Sequence, residues 1–264
     1  MENRVLITGA AGGLGAMLRQ RLAGYAPLRL SDIAPLGPAA DGEEVIECDL
    51  ADADAVAALV RGCDRIVHLG GKSIEGPWET ILNANIIGTY NLFEAARRAG
   101  KPRIIYASSN HAVGFHSRET RLDGDTALRP DSLYGVSKCF GEAMGSYYWD
   151  KFAVENVAVR IGSCFPEPRN RRMLATWLSP RDFVSMITTL FAADRMAHTM
   201  LYGVSANSQQ WWDNSHAAYL GWTAKDSADS FRDKIFAAEP VPDPHDPAVK
   251  FQGGTFASAG HFED

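Results

Sequence analysis

The chain has 264 residues, 46% hydrophobic and 22% charged, which gives ample apolar material for one domain with a modest added lobe. No run of 18 consecutive apolar residues occurs, which argues against a membrane-spanning helix. The net charge of −6 disfavours nucleic acid as a main partner, although one buried arginine can still hold an anionic small molecule.

The N-terminus, Met1-Glu2-Asn3-Arg4, leads into an apolar run too short for a signal peptide and without a cleavage pattern, so it reads as a buried strand. Cys48, Cys63, Cys139 and Cys164 are scattered with no C-x-x-C pair. Neither a disulfide framework nor a metal site is expected, and free thiols without a signal point to the cytoplasm.

The first two-thirds of the chain alternates short apolar runs with helical patterns, as βαβ units do. Strands are predicted at Arg4 to Thr8, Pro27 to Asp32, Glu44 to Cys48, Arg65 to Leu69, Arg103 to Ala107 and Asn156 to Ile161. Helices are predicted at Leu14 to Ala23, Asp54 to Val60, Thr80 to Ala99 (with Gly100 just past its end as a C-cap) and Asp131 to Phe152. Beyond Ser163 the rhythm breaks at Pro166, Pro168 and the arginines Arg169, Arg171 and Arg172. Helical stretches at Asp182 to Ala192 and Ala228 to Ala238 flank a short strand near Met200 to Val204. Pro240 to Pro247 reads as an extended surface segment, and Phe251 to Phe256 as a segment that docks back on the body. The expected fold is α/β, a Rossmann-type doubly wound parallel sheet with a small C-terminal substrate lobe. Residues 1–162 would form the dinucleotide-binding core and 163–264 mainly a substrate-covering lobe, in a single compact unit.

Between the first strand and helix, Gly9, Gly12 and Gly15 are spaced G-x-x-G-x-x-G, with Gly13 between them. Such glycines permit a tight turn and close backbone approach, while the helix N-terminus offers N–H groups and a positive dipole end to a pyrophosphate. Asp32, 17 residues beyond Gly15, ends the second strand, where a carboxylate accepts from ribose hydroxyls and repels a 2′-phosphate. Ile33, Ala34 and Pro35 supply no arginine to bind that phosphate, so NAD is expected over NADP. Asp49-Leu50 and Leu69-Gly70-Gly71 lie at strand ends that line the cofactor crevice of a doubly wound sheet.

Tyr134 and Lys138 stand four residues apart on one helical face. A phenol with a pKa near 10 is a poor base at neutral pH, and the Lys138 ammonium is expected to lower it. Ser109, at the end of the fifth strand, can hydrogen-bond the substrate oxygen that Tyr134 deprotonates. The paired Trp211 and Trp212 are expected to pack in the small lobe's core rather than stack on a sugar.

The glycine loop, Asp32, Asp49-Leu50, Ser109 and the Tyr134/Lys138 pair resemble the extended short-chain dehydrogenases over nearly the whole chain. Within that group the sequence is most similar to the branch that oxidises sugar acids. The segments Ala107 to His111, Leu133 to Glu142, Val159 to Cys164, Arg172 to Leu174, Trp211 to His216 and Phe251 to Phe256 carry that likeness. The resemblance implies NAD-dependent oxidation of the C1 hydroxyl of a cyclic hexuronate, such as galacturonate or glucuronate, to an aldarolactone. It implies catalytic roles for Tyr134, Lys138 and Ser109, and substrate contacts at Ser73, Ser109, Asn110, His111, Tyr134, Ser163 and Arg172. Its cofactor positions are the glycine loop with Leu14, Asp32, Ile33, Asp49, Leu50, Leu69, Gly70, Gly71, Tyr134, Lys138 and Cys164. A planar guanidinium such as Arg172 can bind a carboxylate through two parallel hydrogen bonds. The two long helices often pair between subunits in this group, so a homo-oligomer is expected. Competing readings are a nucleotide-sugar epimerase or dehydratase with tightly held NAD, and a non-catalytic dinucleotide sensor.

Overall fold

Strand β1 (Val5–Thr8) is buried at all of its positions, as a strand covered on both faces must be. It opens an α/β architecture in the computed structural model, which describes residues 3–262 and 264. The other strands are β2 (Leu28–Asp32), β3 (Glu43–Glu47), β4 (Arg65–His68), β5 (Arg103–Ser109), β6 (Asn156–Ile161), the two-residue pair β7 (Ser163–Cys164) and β8 (Trp177–Leu178), and β9 (His198–Gly203). The main sheet has the order β3-β2-β1-β4-β5-β6-β9. Pairings from β3 through β5 are parallel, with Val5 opposite Leu28 on one side and Arg65 on the other. The strand order reverses between β1 and β4, the point at which doubly wound sheets bind ligands outside their strand ends. The expected Rossmann-type sheet is therefore present.

The helices are α1 (Gly13–Arg21), α2 (Ala53–Val60), α3 (Trp78–Ile81), α4 (Gly88–Arg98), α5 (Leu133–Phe152), α6 (Met173–Thr176), α7 (Pro180–Ala192), α8 (Arg232–Ala238) and α9 (Pro247–Lys250). The single long helix expected at Thr80 to Ala99 is instead α3, a π-helical stretch (Leu82–Ile87) and α4. Periodicity cannot distinguish an inserted π residue from a continuous α-helix, because the apolar face merely shifts. The helix expected from Asp131 begins two residues later, leaving Asp131 ahead of α5. Ala228 to Phe231 forms a 3₁₀ turn whose preceding Ser227 side chain accepts from Asp229 N, so regular α-helix starts only at Arg232.

The chain divides into two compact units. The chain up to Ala107, with Phe140–Ala158 and Asp194–Thr199, makes the first; Ser108–Cys139, Val159–Ala193 and the residues from Met200 onward make the second. In the first, Leu6, Ile7, Leu30, Val56, Leu59, Ile66, Leu92 and Phe93 are buried. Its α2 is capped by Asp52, which accepts from Asp54 N and Ala55 N, the usual remedy for unpaired first-turn N–H groups.

In the second unit a core of Val113, Leu122, Tyr202, Val204 and Trp212 is closed by Trp212 stacked on Tyr202 at 5.1 Å. Trp212 Nε1 donates to Gln252 Oε1 at 2.8 Å, so this tryptophan is a core residue, as expected. Segment 240–247 is exposed throughout. The chain then returns: Arg118 N donates to Lys250 O, Gln252 N to His116 O and Gly253 N to Gly114 O. No helix of the described residues is long and apolar enough to cross a membrane.

Candidate active site

The glycine loop of the first unit divides its labour. Gly9 has φ +69°, and a Cβ there would lie 2.7 Å from Leu69 C and 2.8 Å from Gly70 N. At Gly15 a Cβ would overlap Gly9 O. These two glycines permit tight packing of strand, turn and helix. Gly12 is the N-cap of α1 and no side chain caps it; at Gly13 a Cβ would meet nothing within 4 Å. The first-turn N–H groups therefore stand beside open space, as an anion-binding helix start requires.

Asp32 is held in place by that loop. Its Oδ2 accepts from Ala11 N at 3.0 Å and its Oδ1 from Ala34 N at 3.0 Å. Each oxygen keeps a lone pair for a ribose hydroxyl. Ile33 and Asp49 are exposed and Leu14 is half-buried. Leu50 is buried against Gly70 and Gly88, where a Cβ would approach it to 2.6 and 2.7 Å.

Two asparagines outside every sequence motif hold the loops of this unit. Asn85, in the π-helical stretch, accepts from Lys72 N at 2.7 Å and donates to Lys72 O at 3.0 Å. It thereby fixes the turn after Gly70-Gly71, where Gly71 has φ +123°, and so the approach to exposed Ser73. Asn91 donates to Leu50 O and Ala51 O at 2.9 and 3.2 Å. Polar residues on the buried face of an amphipathic helix were the signal available for both. These donors and acceptors, with the open glycine turn, fit a dinucleotide whose ribose is unphosphorylated.

The second unit gathers Ser109, Asn110, His111, Tyr134, Lys138, Ser163 and Arg172. Ser109 ends β5, and its side chain accepts from His111 N to start a 3₁₀ turn, Asn110–Val113. Gly135 lets α5 reach that turn, since a Cβ there would overlap His111 O. Tyr134 and Lys138 are both buried, at 7% and 6% exposure, and Lys138 Nζ lies 5.4 Å from the Tyr134 ring centre.

Burial pushes the Tyr134 phenol up to about 12; its hydrogen bond with Ser109 opposes the rise and the Asp131 charge adds to it. In the protein alone, desolvation of the phenolate is the largest cause of this shift.

Arg172 is half-buried. Its Nε donates to Gln252 O at 2.8 Å. Asn110, with its amide turned to satisfy both neighbours, donates to Ile161 O at 3.1 Å and accepts from Arg172 Nη2 at 2.7 Å. Burial, with the like charge of Arg118, lowers the Arg172 pKa to about 10, against the support of Asp131. Ser163 is buried and shares a 3.0 Å hydrogen bond with Thr176 Oγ1. Burial raises the Cys164 thiol to about 12, so it stays neutral.

Asp131, Gln252 and Phe256 complete the surroundings and were not among the expected site residues. Gln252 is fully buried, and besides Trp212 it holds Ser117 O and Thr120 O. The docking of Phe251 to Phe256, expected from its apolar character, brings Phe256 onto His111 with ring centres 3.9 Å apart. Gly253 and Gly254 make the approach feasible. A Cβ at Gly253 would overlap Asp131 Oδ2, and one at Gly254, which has φ +68°, would lie 2.8 Å from Arg172 Cδ. Gly253→Ala is therefore expected to cost about 1–3 kcal/mol through overpacking. A thermal melt would show this as a lower Tm, with turnover falling further than the melt alone explains.

Among the described residues no group of three or more His, Cys, Asp or Glu side chains could hold a metal ion.

The NAD dependent epimerase/dehydratase family matches residues 5–183. Uronate dehydrogenase of Agrobacterium fabrum is 57% identical over 254 residues, covering 96% of this chain and 96% of that protein. The crystal structure of glucuronic acid dehydrogenase from Chromohalobacter salexigens superposes with a TM-score of 0.98 at 54% identity, covering both chains completely. That of a tyrosine-to-alanine mutant of uronate dehydrogenase from Agrobacterium tumefaciens complexed with NAD has a TM-score of 0.96 at 56% identity, covering 98% of each chain. With its Rossmann-type sheet, glycine turn and Tyr134/Lys138 pair, this chain belongs to the NAD dependent epimerase/dehydratase family, in the branch of the uronate dehydrogenases.

Proposed function

We propose that the protein oxidises the C1 hydroxyl of a cyclic hexuronate to the aldarolactone, with NAD+ as acceptor. The observation that carries the sugar-acid part is Arg172. Its hydrogen-bond partners, Gln252 O and Asn110 Oδ1, are neutral, and burial and Arg118 lower its pKa against the support of Asp131. A substrate carboxylate would supply a directly bonded counter-charge through paired, charge-assisted hydrogen bonds.

In this reading Tyr134 removes the proton from the C1 hydroxyl as general base. Ser109, hydrogen-bonded to Tyr134, orients that hydroxyl. Lys138 holds the nicotinamide ribose and adds positive charge. Asn110, His111, Ser163 and Ser73 meet the remaining sugar oxygens. The pyrophosphate lies at Gly12, Gly13 and Leu14, Asp32 receives the adenosine ribose, and Ile33, Asp49, Leu50, Leu69, Gly70, Gly71 and Cys164 wall the dinucleotide. Bound NAD+ supplies the hydride acceptor and a positively charged ring. The ring oxygen stays attached to C1, so the product is a lactone rather than an open acid.

An initial-rate assay at 340 nm with galacturonate and glucuronate, each with NAD+ and NADP+, tests the proposal. NADH formation with both sugars, and little with NADP+, is expected. Folded protein that forms no NADH with either sugar would refute it. Cofactor retained through purification without net NADH would instead mark an epimerase or dehydratase. Cytoplasmic location and a homo-oligomer belong to the same reading. Tyr90 on α4 and Tyr147 on α5 are exposed at 49% and 46%, consistent with a subunit contact along these helices.

A further inference from the structure

His111 Nδ1 lies 2.8 Å from Asp131 Oδ2 and 3.1 Å from Oδ1. An ionised carboxylate can only accept, so this nitrogen carries the proton, and in the neutral ring Nε2 holds the lone pair. The Asp131 side chain is fully buried, and its Oδ1 also accepts from Ser132 Oγ at 3.1 Å. Room for it is cleared by glycines from two distant parts of the chain: a Cβ at Gly114 or at Gly253 would overlap Oδ2. Phe256 stacks on the imidazole with an interplanar angle of 28°, and the Tyr134 ring meets it edge-on at 5.9 Å. A buried carboxylate costs stability unless it is well bonded, so packing alone gives no reason for an acid here.

We propose that Asp131 is a positioning residue of the active site, which holds His111 in its Nδ1–H tautomer so that Nε2 accepts a hydrogen bond from a sugar hydroxyl. The inference rests on the reading of His111 as a substrate contact. It divides substrate recognition by hydrogen-bond polarity: His111 reads a hydroxyl donor, and Arg172 reads the carboxylate. A histidine held as an acceptor would repel a carboxylate oxygen, so the pair also sets which end of the sugar faces which side chain. Asp131 supports the positive charge of Arg172 as well.

The test combines a spectroscopic and a kinetic readout. In protein labelled with ¹⁵N-histidine, with His111 assigned by its loss in His111→Ala, long-range ¹H–¹⁵N spectra above the ring's titration should show a protonated Nδ1 and a bare Nε2. Asp131→Asn keeps the shape and removes the charge. It is expected to lower kcat/KM for the uronate about 10- to 100-fold, as loss of an orienting partner of a histidine does, with the Kd for NAD+ changed less than twofold. Added to His111→Ala, it should cause almost no further loss, since the two act as a unit. A wild-type His111 protonated at Nε2, or losses that multiply in the double variant, would overturn the proposal. The tautomer measurement needs no substrate, so a failure of the Asp131–His111 pairing is distinguishable from a failure of the uronate reading.

Discussion

Tyr134→Phe is expected to lower kcat with galacturonate or glucuronate by a factor between about 10² and 10⁴, the range attributable to a positioned general base. The substitution removes one oxygen atom from a ring that is 7% exposed and keeps the ring's contacts with His111 and Phe256. Initial rates should therefore collapse while the circular dichroism spectrum and the Kd for NAD+ stay near those of the wild type. A variant retaining more than about a tenth of wild-type kcat would remove Tyr134 from the reaction.

The same variant has a signature in stability. The folded-state pKa of Tyr134, pushed up to about 12, lies above the unfolded value near 10. Below pH 10 both states hold the proton and nothing is lost. As pH rises from 10 to 12 the unfolded chain ionises first, so stability falls. In Tyr134→Phe that part of the alkaline fall should be absent, which chemical denaturation at several pH values would detect.

Arg172→Ala is expected to cut kcat/KM for uronates by about 10²- to 10⁴-fold. Two hydrogen bonds to a charged group are worth roughly 1.5–3 kcal/mol each, and both go with the guanidinium. Arg172 also holds Gln252 O, so some loss of Tm should accompany the change. The ratio of rates on a uronate and on neutral galactose isolates the carboxylate: the wild type should reject galactose, and the variant should discriminate far less. Arg172→Lys should recover little, because an ammonium can neither make the paired contact nor keep the Gln252 and Asn110 bonds together. An unchanged uronate-to-galactose ratio in Arg172→Ala would mean that another group reads the carboxylate.

The local features of the cofactor half were legible along the chain because each depends on neighbours close in sequence. Gly9, Gly12 and Gly15 announce a strand–turn–helix, Asp32 ends the strand that follows, and Tyr134 and Lys138 sit one helical turn apart. The π-helical stretch escaped detection, since an inserted residue shifts an apolar face without erasing it. With it went Asn85 and Asn91, whose partners Lys72, Leu50 and Ala51 lie 13 to 41 residues away.

The amino-acid order by itself determined the parallel α/β sheet, the dinucleotide turn and the kind of chemistry, since apolar periodicity, glycine placement and four-residue helical spacing act over short range. Tertiary structure alone decided how that chemistry is tuned. Burial raises the Tyr134 pKa. The returning segment 251–256 sets Gln252 O against Arg172 and Phe256 against His111. Asp131, wedged between Gly114 and Gly253, stands as the acceptor beside His111 Nδ1. Desolvation and long-range hydrogen bonding depend on which distant segments meet, and no local pattern encodes that meeting.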